Sequence, residues 1–287
     1  MERKLDTFIV DGKTIEYSIT EKGEIPVFVM HGGHSNCYEE FGYDALVQNG
    51  FSMITPSRAG YGRTSKEIGE SLSKACEYYV KLLDYLEIDR VHLLSVSAGG
   101  PTGIYFASHY PHRVKTLTLQ SAVTKEWQTP KDKIYKIAQI LFRPPFEKIT
   151  WRLISSISNR FPKFIFNQML PSFSKLSYEE MQSKMADGDI DEIRKMNNRQ
   201  RSGHGFLIDL SQTKEITFKD LQAISCPTLI MHSKHDGSVS FEHALYAHQQ
   251  ISDSEVCLLD SWGHLIWLGQ EFDNVNEKLV EFLTCYS

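Results

Sequence analysis

The sequence lacks the cysteine pattern of a disulfide-bonded or zinc-binding protein. Its 287 residues include five cysteines, an odd number, and none stands in a Cys-x-x-Cys spacing. Scattered cysteines of this kind are typical of reduced thiols in a cytoplasm. They predict a cytoplasmic protein without structural disulfides or zinc. The five are Cys37, Cys76, Cys226, Cys257 and Cys285.

Long apolar runs and an excess of positive charge are also missing. No stretch approaches eighteen consecutive apolar residues, so no membrane span is expected. The segment MERKLDTFIV has no apolar core and no small-residue cleavage site, and we expect no signal peptide there. The formal net charge is −5 and no long basic run occurs, which gives no indication of nucleic-acid binding.

Short apolar runs, rich in β-branched and aromatic residues, recur in two parts of the chain. An amphipathic segment, SLSKACEYYVKLLDYLEI, lies between the second and third of them. Strands buried on both faces that alternate with helices predict an α/β fold with a mostly parallel, doubly wound sheet. We expect a hairpin at Asp11-Gly12 and strands at 25–30, 51–56, 91–96, 116–121, 228–233 and 256–260.

The segment 122–222 interrupts this alternation, because it contains helix-start signals but no convincing strand. A chain of 287 residues is long enough for one substantial core, or for a core with an inserted lobe. We therefore expect a core formed by 1–121 and 223–287, with 122–222 as an inserted helical cap. The cap begins just after a strand end, where a lid over an active site would emerge.

Two signals within the cap predict helix starts. Thr129 is expected as an N-cap, with Pro130 at the first helical position. Ser177 and Glu180 have the spacing of a capping box. Aromatic residues of the cap are expected to contribute to its own packing rather than to a substrate site; they are Trp127, Phe142, Phe146, Trp151, Phe161, Phe164 and Phe166.

The stretch HLLSVSAGG places two serines at the end of a predicted strand. A nucleophile on a sharp strand-to-helix turn needs small residues two positions before and after it, because the backbones crowd there. Ser97 has Ser95 and Gly99 at these positions, whereas a turn centred on Ser95 would have the bulky Leu93. Ser97 is therefore the candidate nucleophile, with a helix beginning at Ala98. The alternative is a Ser/Gly connection with no catalytic role.

A serine nucleophile needs a base and an acid, and both have candidates at the ends of later predicted strands. Asp236 follows the run TLIMHS, and His264 follows the last predicted strand directly after a glycine. Asp260 also ends a strand, but it precedes His264 by only four residues and is expected to be a turn residue. His232 and His235 crowd the acid loop and are the alternative bases.

The order of these motifs resembles that of the α/β-hydrolase fold family, in its serine hydrolase, esterase-like branch. The segments HGG, SVSAGG, SKHD and WGH stand in the family's order, and PSRAGYGRTS resembles its arginine-and-glycine loop. The resemblance covers nearly the whole chain except the cap. It implies that Ser97 attacks, His264 transfers the proton and Asp236 orients the imidazole, with no metal and no organic cofactor. It also places an oxyanion between the backbone N–H groups of Gly33 and Ala98.

Three further residues near these motifs have expected supporting roles. His31, in the HGG loop, is expected to brace that loop. Arg58 is expected to be a structural anchor rather than a catalytic group. Ser121, at the end of its strand, either lies near the pocket floor or caps the next segment.

Departures from particular branches of the family narrow the expected activity. Haloalkane dehalogenases and epoxide hydrolases use an aspartate where this chain has Ser97. Proline iminopeptidases usually read HGGPG, whereas His34 and Ser35 follow Gly33 here. Carbon–carbon bond hydrolases often have a tryptophan after the catalytic histidine, where this chain has Leu265. We expect hydrolysis of a small-molecule carboxylic ester, or of a thioester, lactone or amide, through an acyl-enzyme.

Two other uses of this fold stay open. A small-molecule receptor with little hydrolytic turnover needs the same intact pocket. A lyase would need a cap lysine that faces the serine, and the cap has many lysines. The sequence also leaves open whether the chain is a monomer or a homo-oligomer.

Overall fold

The computed structural model describes residues 2–20 and 23–287 and places eight strands of this part of the chain in one sheet. In chain order they are β1 (Arg3–Val10), β2 (Lys13–Thr20), β3 (Ile25–Met30), β4 (Phe51–Pro56), β5 (Val91–Val96), β6 (Val114–Gln120), β7 (Thr228–Ser233) and β8 (Ser254–Leu259). Across the sheet the order is β1-β2-β4-β3-β5-β6-β7-β8. The pairs β1–β2 and β2–β4 are antiparallel, and all others are parallel. The predicted α/β class with a mostly parallel sheet is confirmed.

Most of the predicted strands have the predicted bounds. The runs 25–30, 51–56, 91–96 and 228–233 coincide with β3, β4, β5 and β7. β6 begins two residues earlier than predicted, and β8 is shifted toward the N-terminus by two residues at its start and one at its end. The hairpin between β1 and β2 turns at Asp11 and Gly12, which both have positive φ, as a two-residue turn between twisted strands requires.

Helices cover both faces of the sheet. They are α1 (Tyr43–Gln48), α2 (Leu72–Tyr85), α3 (Gly100–His109), α4 (Lys133–Leu141), α5 (Phe146–Arg160), α6 (Pro162–Phe173), α7 (Tyr178–Gln182), α8 (Asp189–Arg199), α9 (Gly205–Gln212), α10 (Phe218–Gln222), α11 (Glu242–Gln250) and α12 (Phe272–Cys285). Among the described residues, no helix is long and apolar enough to cross a membrane.

Side chains of the central strands alternate between two cores, one on each face of the sheet. In β3, Phe28 belongs to the core that α2, α3 and α11 cover, whereas Val27 and Val29 belong to the core that α1 and α12 cover. In β5, Leu93 and Leu94 divide in the same way. Burial on both faces explains why these strands are continuous apolar runs in the sequence.

The segment 122–222 lies between β6 and β7 and carries α4 to α10. The predicted capping box at Ser177 and Glu180 is confirmed at the start of α7. The predicted helix start at Thr129 is wrong. Asp132 accepts hydrogen bonds from the Thr129 backbone N–H and hydroxyl, which closes a turn, and α4 begins only after Asp132 at Lys133.

Three buried histidines make the stability of the fold sensitive to acid. Burial lowers the pKa of His34 to about 3 and those of His92 and His243 to about 4. Histidines of the unfolded chain take up protons near pH ~6.5, whereas these three stay neutral until the pH is much lower. The unfolded state therefore binds more protons in this window, and the free energy of unfolding falls as the pH falls from ~6.5 toward 4.

We predict that His92→Gln flattens this dependence. Each histidine contributes up to ~1.4 kcal/mol per pH unit in the window, and the variant removes one of them. Glutamine retains a polar atom for the hydroxyl of Thr116, which lies 2.8 Å from the His92 ring nitrogen. Denaturant titrations between pH ~7.5 and ~4.5 give the slope for parent and variant. Equal slopes of the free energy of unfolding against pH would show that folding does not lower the pKa of His92.

Candidate active site

Ser97 stands on a sharp turn between β5 and α3. Its φ is 50°, in the left-handed region that residues with a Cβ rarely adopt. The chain can turn there because glycines follow: a Cβ on Gly99 would collide with the Met30 carbonyl oxygen, and one on Gly100 with the Val123 carbonyl oxygen. The Val123 N–H donates to the Ser97 carbonyl at 2.9 Å. The turn leaves Ser97 half-buried at the carboxyl edge of the sheet.

Ser95, the neighbouring candidate, lies on the other side of this turn. It is fully buried against Gly103 of α3, where any Cβ would collide with the Ser95 hydroxyl. Within the described part of the chain, that hydroxyl has no hydrogen-bond partner. The predicted helix start at Ala98 is two residues early, because a short 3₁₀ turn over Ser97–Gly99 precedes α3.

Three side chains predicted from separate motifs form one hydrogen-bonded chain. The Nε2 atom of His264 lies 2.9 Å from the Ser97 hydroxyl oxygen. The Nδ1 atom of the same ring lies 2.7 Å from Oδ2 of Asp236. With the proton on Nδ1, the imidazole donates to the carboxylate and leaves the Nε2 lone pair free for the serine proton. This arrangement can deprotonate Ser97 at the moment of attack.

Asp236 is held as a carboxylate by four donors. Its Oδ1 accepts the backbone N–H groups of Ser238 and Val239, each at 2.8 Å. Its Oδ2 faces His264 and also Nε2 of His232, at 3.1 Å. Burial favours the neutral acid, but the charge of His264 and the hydrogen bonds from His232 and His264 outweigh it. The pKa of Asp236 therefore lies well below its usual range.

The structure separates the alternative acid and bases from the serine. Asp260 is exposed and pairs with Lys184 and His235, not with His264. His232 is buried behind Asp236, with its Nε2 2.9 Å from the Val239 carbonyl oxygen. From the sequence, His232 is only an alternative base, and this supporting contact is not predicted. The one signal for it was its position four residues before Asp236.

The HGG loop after β3 lies against the start of the Ser97 turn. A Cβ on Gly32 would be 3.5 Å from the Ser97 Cβ, and one on Gly33 would be 3.5 Å from the Ala98 Cβ. Neither the Gly33 nor the Ala98 backbone N–H is engaged in a hydrogen bond within residues 2–20 and 23–287. Backbone N–H groups without a partner at such a turn can stabilise a negatively charged oxygen.

Buried polar groups hold this loop in place. Nε2 of His31 accepts the Arg58 backbone N–H at 2.9 Å, and Nδ1 lies 2.8 Å from the Gly32 carbonyl oxygen. Burial and the nearby Arg58 charge lower the pKa of His31, so the ring is neutral. The Arg58 guanidinium donates to the His31 carbonyl oxygen and binds both carboxylate oxygens of Asp209 in α9. The Tyr61 hydroxyl donates to the same carboxylate at 2.6 Å.

Comparisons with known proteins agree with the fold. The family model described as alpha/beta hydrolase fold matches residues 25–269. A Bacillus subtilis protein named uncharacterized hydrolase YcgS is 61% identical over 99% of this chain and 99% of its own. The chain belongs to the α/β hydrolase fold family. It is an enzyme of the hydrolase type.

Two further similarities are more distant. The hydrolase is 23% identical to 2-hydroxy-6-oxononadienedioate/2-hydroxy-6-oxononatrienedioate hydrolase 1 of Pseudomonas putida, over 94% of this chain and 92% of the relative. The solved structure of an alpha/beta hydrolase fold protein from Nakamurella multipartita is similar with a TM-score of 0.82 and 25% identity. That similarity covers 98% of this chain and 99% of the other.

The hydrolase holds the loops that carry Asp236 and His264 together through the end of α6 and the residue after it. The Phe173 carbonyl oxygen accepts the His264 N–H at 2.8 Å and the Gly237 N–H at 3.0 Å. The Ser174 hydroxyl donates to the Trp262 carbonyl oxygen. On the opposite side, the Ser121 hydroxyl donates to the His264 carbonyl oxygen at 2.8 Å. No sequence motif indicated the contact from Phe173, because a backbone carbonyl makes it.

No cluster of three His, Cys, Asp or Glu side chains that could hold a metal ion occurs among the residues the structure describes. The expectation that the hydrolase uses neither metal nor organic cofactor stays a prediction.

We predict that Gly263→Ala lowers kcat by roughly 10- to 100-fold with little change in KM. A Cβ at this position would collide with the Phe173 carbonyl oxygen and displace the His264 loop by a fraction of an ångström or more. Steady-state kinetics of the parent and the variant, at a temperature well below the unfolding temperature of each, measure the change in kcat and KM. Gly12→Ala is the control, because its φ of 67° is strained but nothing lies within 4 Å of the new Cβ. It should lower stability without lowering kcat; a Gly263→Ala enzyme with the parent's kcat would contradict the positioning role.

Proposed function

We propose that the chain is a serine hydrolase that cleaves a small-molecule carboxylic ester, or a related thioester, lactone or amide, through an acyl-enzyme on Ser97. The observation that carries the proposal is the hydrogen-bonded chain from the Ser97 hydroxyl through His264 to Asp236. Support comes from the backbone N–H groups of Gly33 and Ala98, which lie where the HGG loop meets the Ser97 turn and have no hydrogen-bond partner among the described residues.

Acylation begins when His264 Nε2 takes the serine proton and the Ser97 oxygen bonds to the substrate carbonyl carbon. The carbonyl oxygen becomes an oxyanion, and the N–H groups of Gly33 and Ala98 donate to it. Collapse of the tetrahedral intermediate breaks the bond to the leaving group, which receives the proton from His264. The carboxylate of Asp236 keeps the imidazole in the required tautomer and stabilises its cationic form.

Deacylation repeats these steps with water. His264 takes a proton from the water, the hydroxide oxygen attacks the acyl carbon, and the oxyanion is again held by Gly33 and Ala98. Collapse releases the carboxylic acid and returns the proton to Ser97. Apart from water, deacylation thus needs no group that acylation does not use.

An oxygen leaving group is favoured over a nitrogen or carbon one. Alkoxide leaves more readily than amine, so the arrangement needs the least assistance with an ester. The Pseudomonas putida relative is named for a 2-hydroxy-6-oxo dienedioate substrate. Carbon–carbon bond hydrolases often carry tryptophan after the catalytic histidine, whereas the buried Leu265 stands there in this chain.

The segment 122–222 supports this function as a cap. Phe206 of α9 lies against Gly33, and a Cβ there would be 3.1 Å from its ring. The centroid of the His34 ring lies 3.9 Å from that of Phe206, 4.3 Å from that of Phe142 and 5.1 Å from that of Trp151. His34 is neutral, since burial lowers its pKa to about 3. The surface next to the oxyanion donors is thus apolar and aromatic, which suits an uncharged group of the substrate.

We predict that Ser97→Ala lowers kcat/KM for a p-nitrophenyl ester by at least about 10³-fold, because the nucleophile is lost while the oxyanion donors remain. Ser95→Gly is the matched control, and most of its activity should be retained because Ser95 is buried against Gly103 and His264 contacts Ser97 instead. If Ser95→Ala were as inactive as Ser97→Ala, the turn would be centred on the wrong serine. A folded protein that binds small ligands but turns over no ester would favour the receptor alternative.

We also predict that Asp236→Asn lowers kcat by about 10³- to 10⁴-fold, because asparagine permits the wrong imidazole tautomer. Asp260→Asn should change kcat by less than about twofold, since Asp260 is exposed and does not touch His264.

The pKa of Asp236 lies below its usual range, so this carboxylate stays ionised as the pH falls to ~4. Loss of activity above that pH must therefore come from another group. Profiles of kcat/KM against pH for all three proteins test this, and a crippled Asp260→Asn enzyme beside an active Asp236→Asn enzyme would reverse the assignment.

A further inference from the structure

Helix α5 carries an apolar stripe that no part of the described chain covers. Phe146, Ile149, Leu153 and Ile157 are spaced by three or four residues, so they lie on one face of the helix. Each is between 37% and 59% exposed. The helix packs into the cap through a different face, which includes the buried Trp151. The stripe is therefore additional to the face that the fold needs.

Exposed apolar side chains continue on the two neighbouring helices. α5 packs against both α4 and α6, and the Thr150 hydroxyl donates to the Leu141 carbonyl oxygen at the end of α4. The expectation that Phe146, Phe161 and Phe164 pack inside the cap is wrong. We call the following nine exposed residues the cap face: Ile137, Ile140, Leu141, Phe146, Ile149, Leu153, Ile157, Phe161 and Phe164. Nine large exposed apolar side chains within the segment 137–164 exceed the scattered hydrophobics of an ordinary surface.

Positive charge surrounds the cap face. The segment 131–164 contains eight Lys or Arg residues and two acids, a net charge of +6 in a chain of formal charge −5. All eight bases are exposed, and none forms an ion pair with any residue in the described ranges. Of the two acids, Glu147 is buried and accepts the Ser202 N–H. The bases are Lys131, Lys133, Lys136, Arg143, Lys148, Arg152, Arg160 and Lys163.

We propose that the cap face docks on an anionic lipid bilayer surface. Apolar side chains that project from consecutive amphipathic helices can enter the boundary between headgroups and acyl chains. Lys and Arg beside them extend their charged ends to anionic headgroups. This combination of an apolar stripe with unpaired positive charge is the complement of an anionic interface. The proposal concerns binding alone and does not depend on ester hydrolysis.

A second copy of this chain fits the cap face less well. Two copies meeting through the same face would bring a net charge of +6 against +6 around the contact. In the symmetric interface of a homodimer, each base meets its own counterpart or a neighbouring base. The charge thus opposes self-association at the same place where the apolar side chains would favour it.

Co-sedimentation of the full chain with lipid vesicles tests the proposal. Vesicles of phosphatidylcholine alone are compared with vesicles of phosphatidylcholine and phosphatidylglycerol, each at low and high salt. We expect binding to the mixed vesicles that weakens at high salt, because surface charges are then screened. We expect little binding to phosphatidylcholine alone. Absence of binding to both kinds, or equal binding to both, would overturn the proposal.

Variants of the exposed residues separate the apolar and the charged contributions. Ile149→Gln with Leu153→Gln removes the centre of the stripe, and Lys148→Glu with Arg152→Glu reverses two charges beside it. Each pair should lower the partition coefficient to mixed vesicles by about tenfold or more. All four side chains are exposed, so circular dichroism and the unfolding temperature should stay close to those of the parent.

Matched controls lie elsewhere on the surface. Ile9→Gln replaces an exposed isoleucine on β1, and Lys4→Glu with Lys219→Glu reverses two exposed charges outside the segment 131–164. These controls should bind mixed vesicles as the parent does. If they weaken binding as much as the cap variants, the position of the changed residues does not matter and the docking face is wrong. Light scattering adds one more outcome: a dimer that the Gln variants dissociate, without vesicle binding, would make the occupant a second copy.

Discussion

The left-handed conformation of Ser97 is the constraint on which the site depends. A residue with a Cβ at φ 50° costs about 1–3 kcal/mol, and it persists only where the surroundings enforce it. Here the enforcement is close backbone contact, since Gly99 and Gly100 press against carbonyl oxygens of β3 and of the segment after β6. A larger residue at either position would open the turn. The serine hydroxyl would then leave the reach of His264.

A second constraint joins the segment 122–222 to the sheet at two points. Arg58 and Asp209 form a buried ion pair whose net contribution to stability is small when intact, but whose disruption would leave one charge buried without a partner. The Phe173 carbonyl oxygen holds the acid and base loops against each other. The geometry around His264 therefore depends on residues of the segment 122–222, which is inserted between β6 and β7. Changes in the cap should reach the catalytic geometry through these two contacts.

Local patterns predicted the strands well because burial on both faces leaves a clear apolar run, as in β3 and β5. The choice of Ser97 over Ser95 also followed from local crowding. The start of α4 could not be predicted, since Asp132 uses its carboxylate for the Thr129 turn. The contacts of Phe173 and His232 were missed because they depend on packing between distant segments or on a backbone atom. The exposed Phe146 was misjudged because the sequence does not show which side of an amphipathic helix is covered.

The central claim is that Ser97 is a nucleophile activated by His264 and Asp236. The most direct measurement is to treat the native protein with a fluorophosphonate, digest it, and locate the covalent adduct by mass spectrometry. The account predicts one phosphonylated residue, Ser97. It predicts no adduct when the protein is denatured before the treatment, or in a His264→Ala protein, because the hydroxyl is then not activated. An adduct on Ser95 or on another serine, or no adduct on the folded protein, would contradict it.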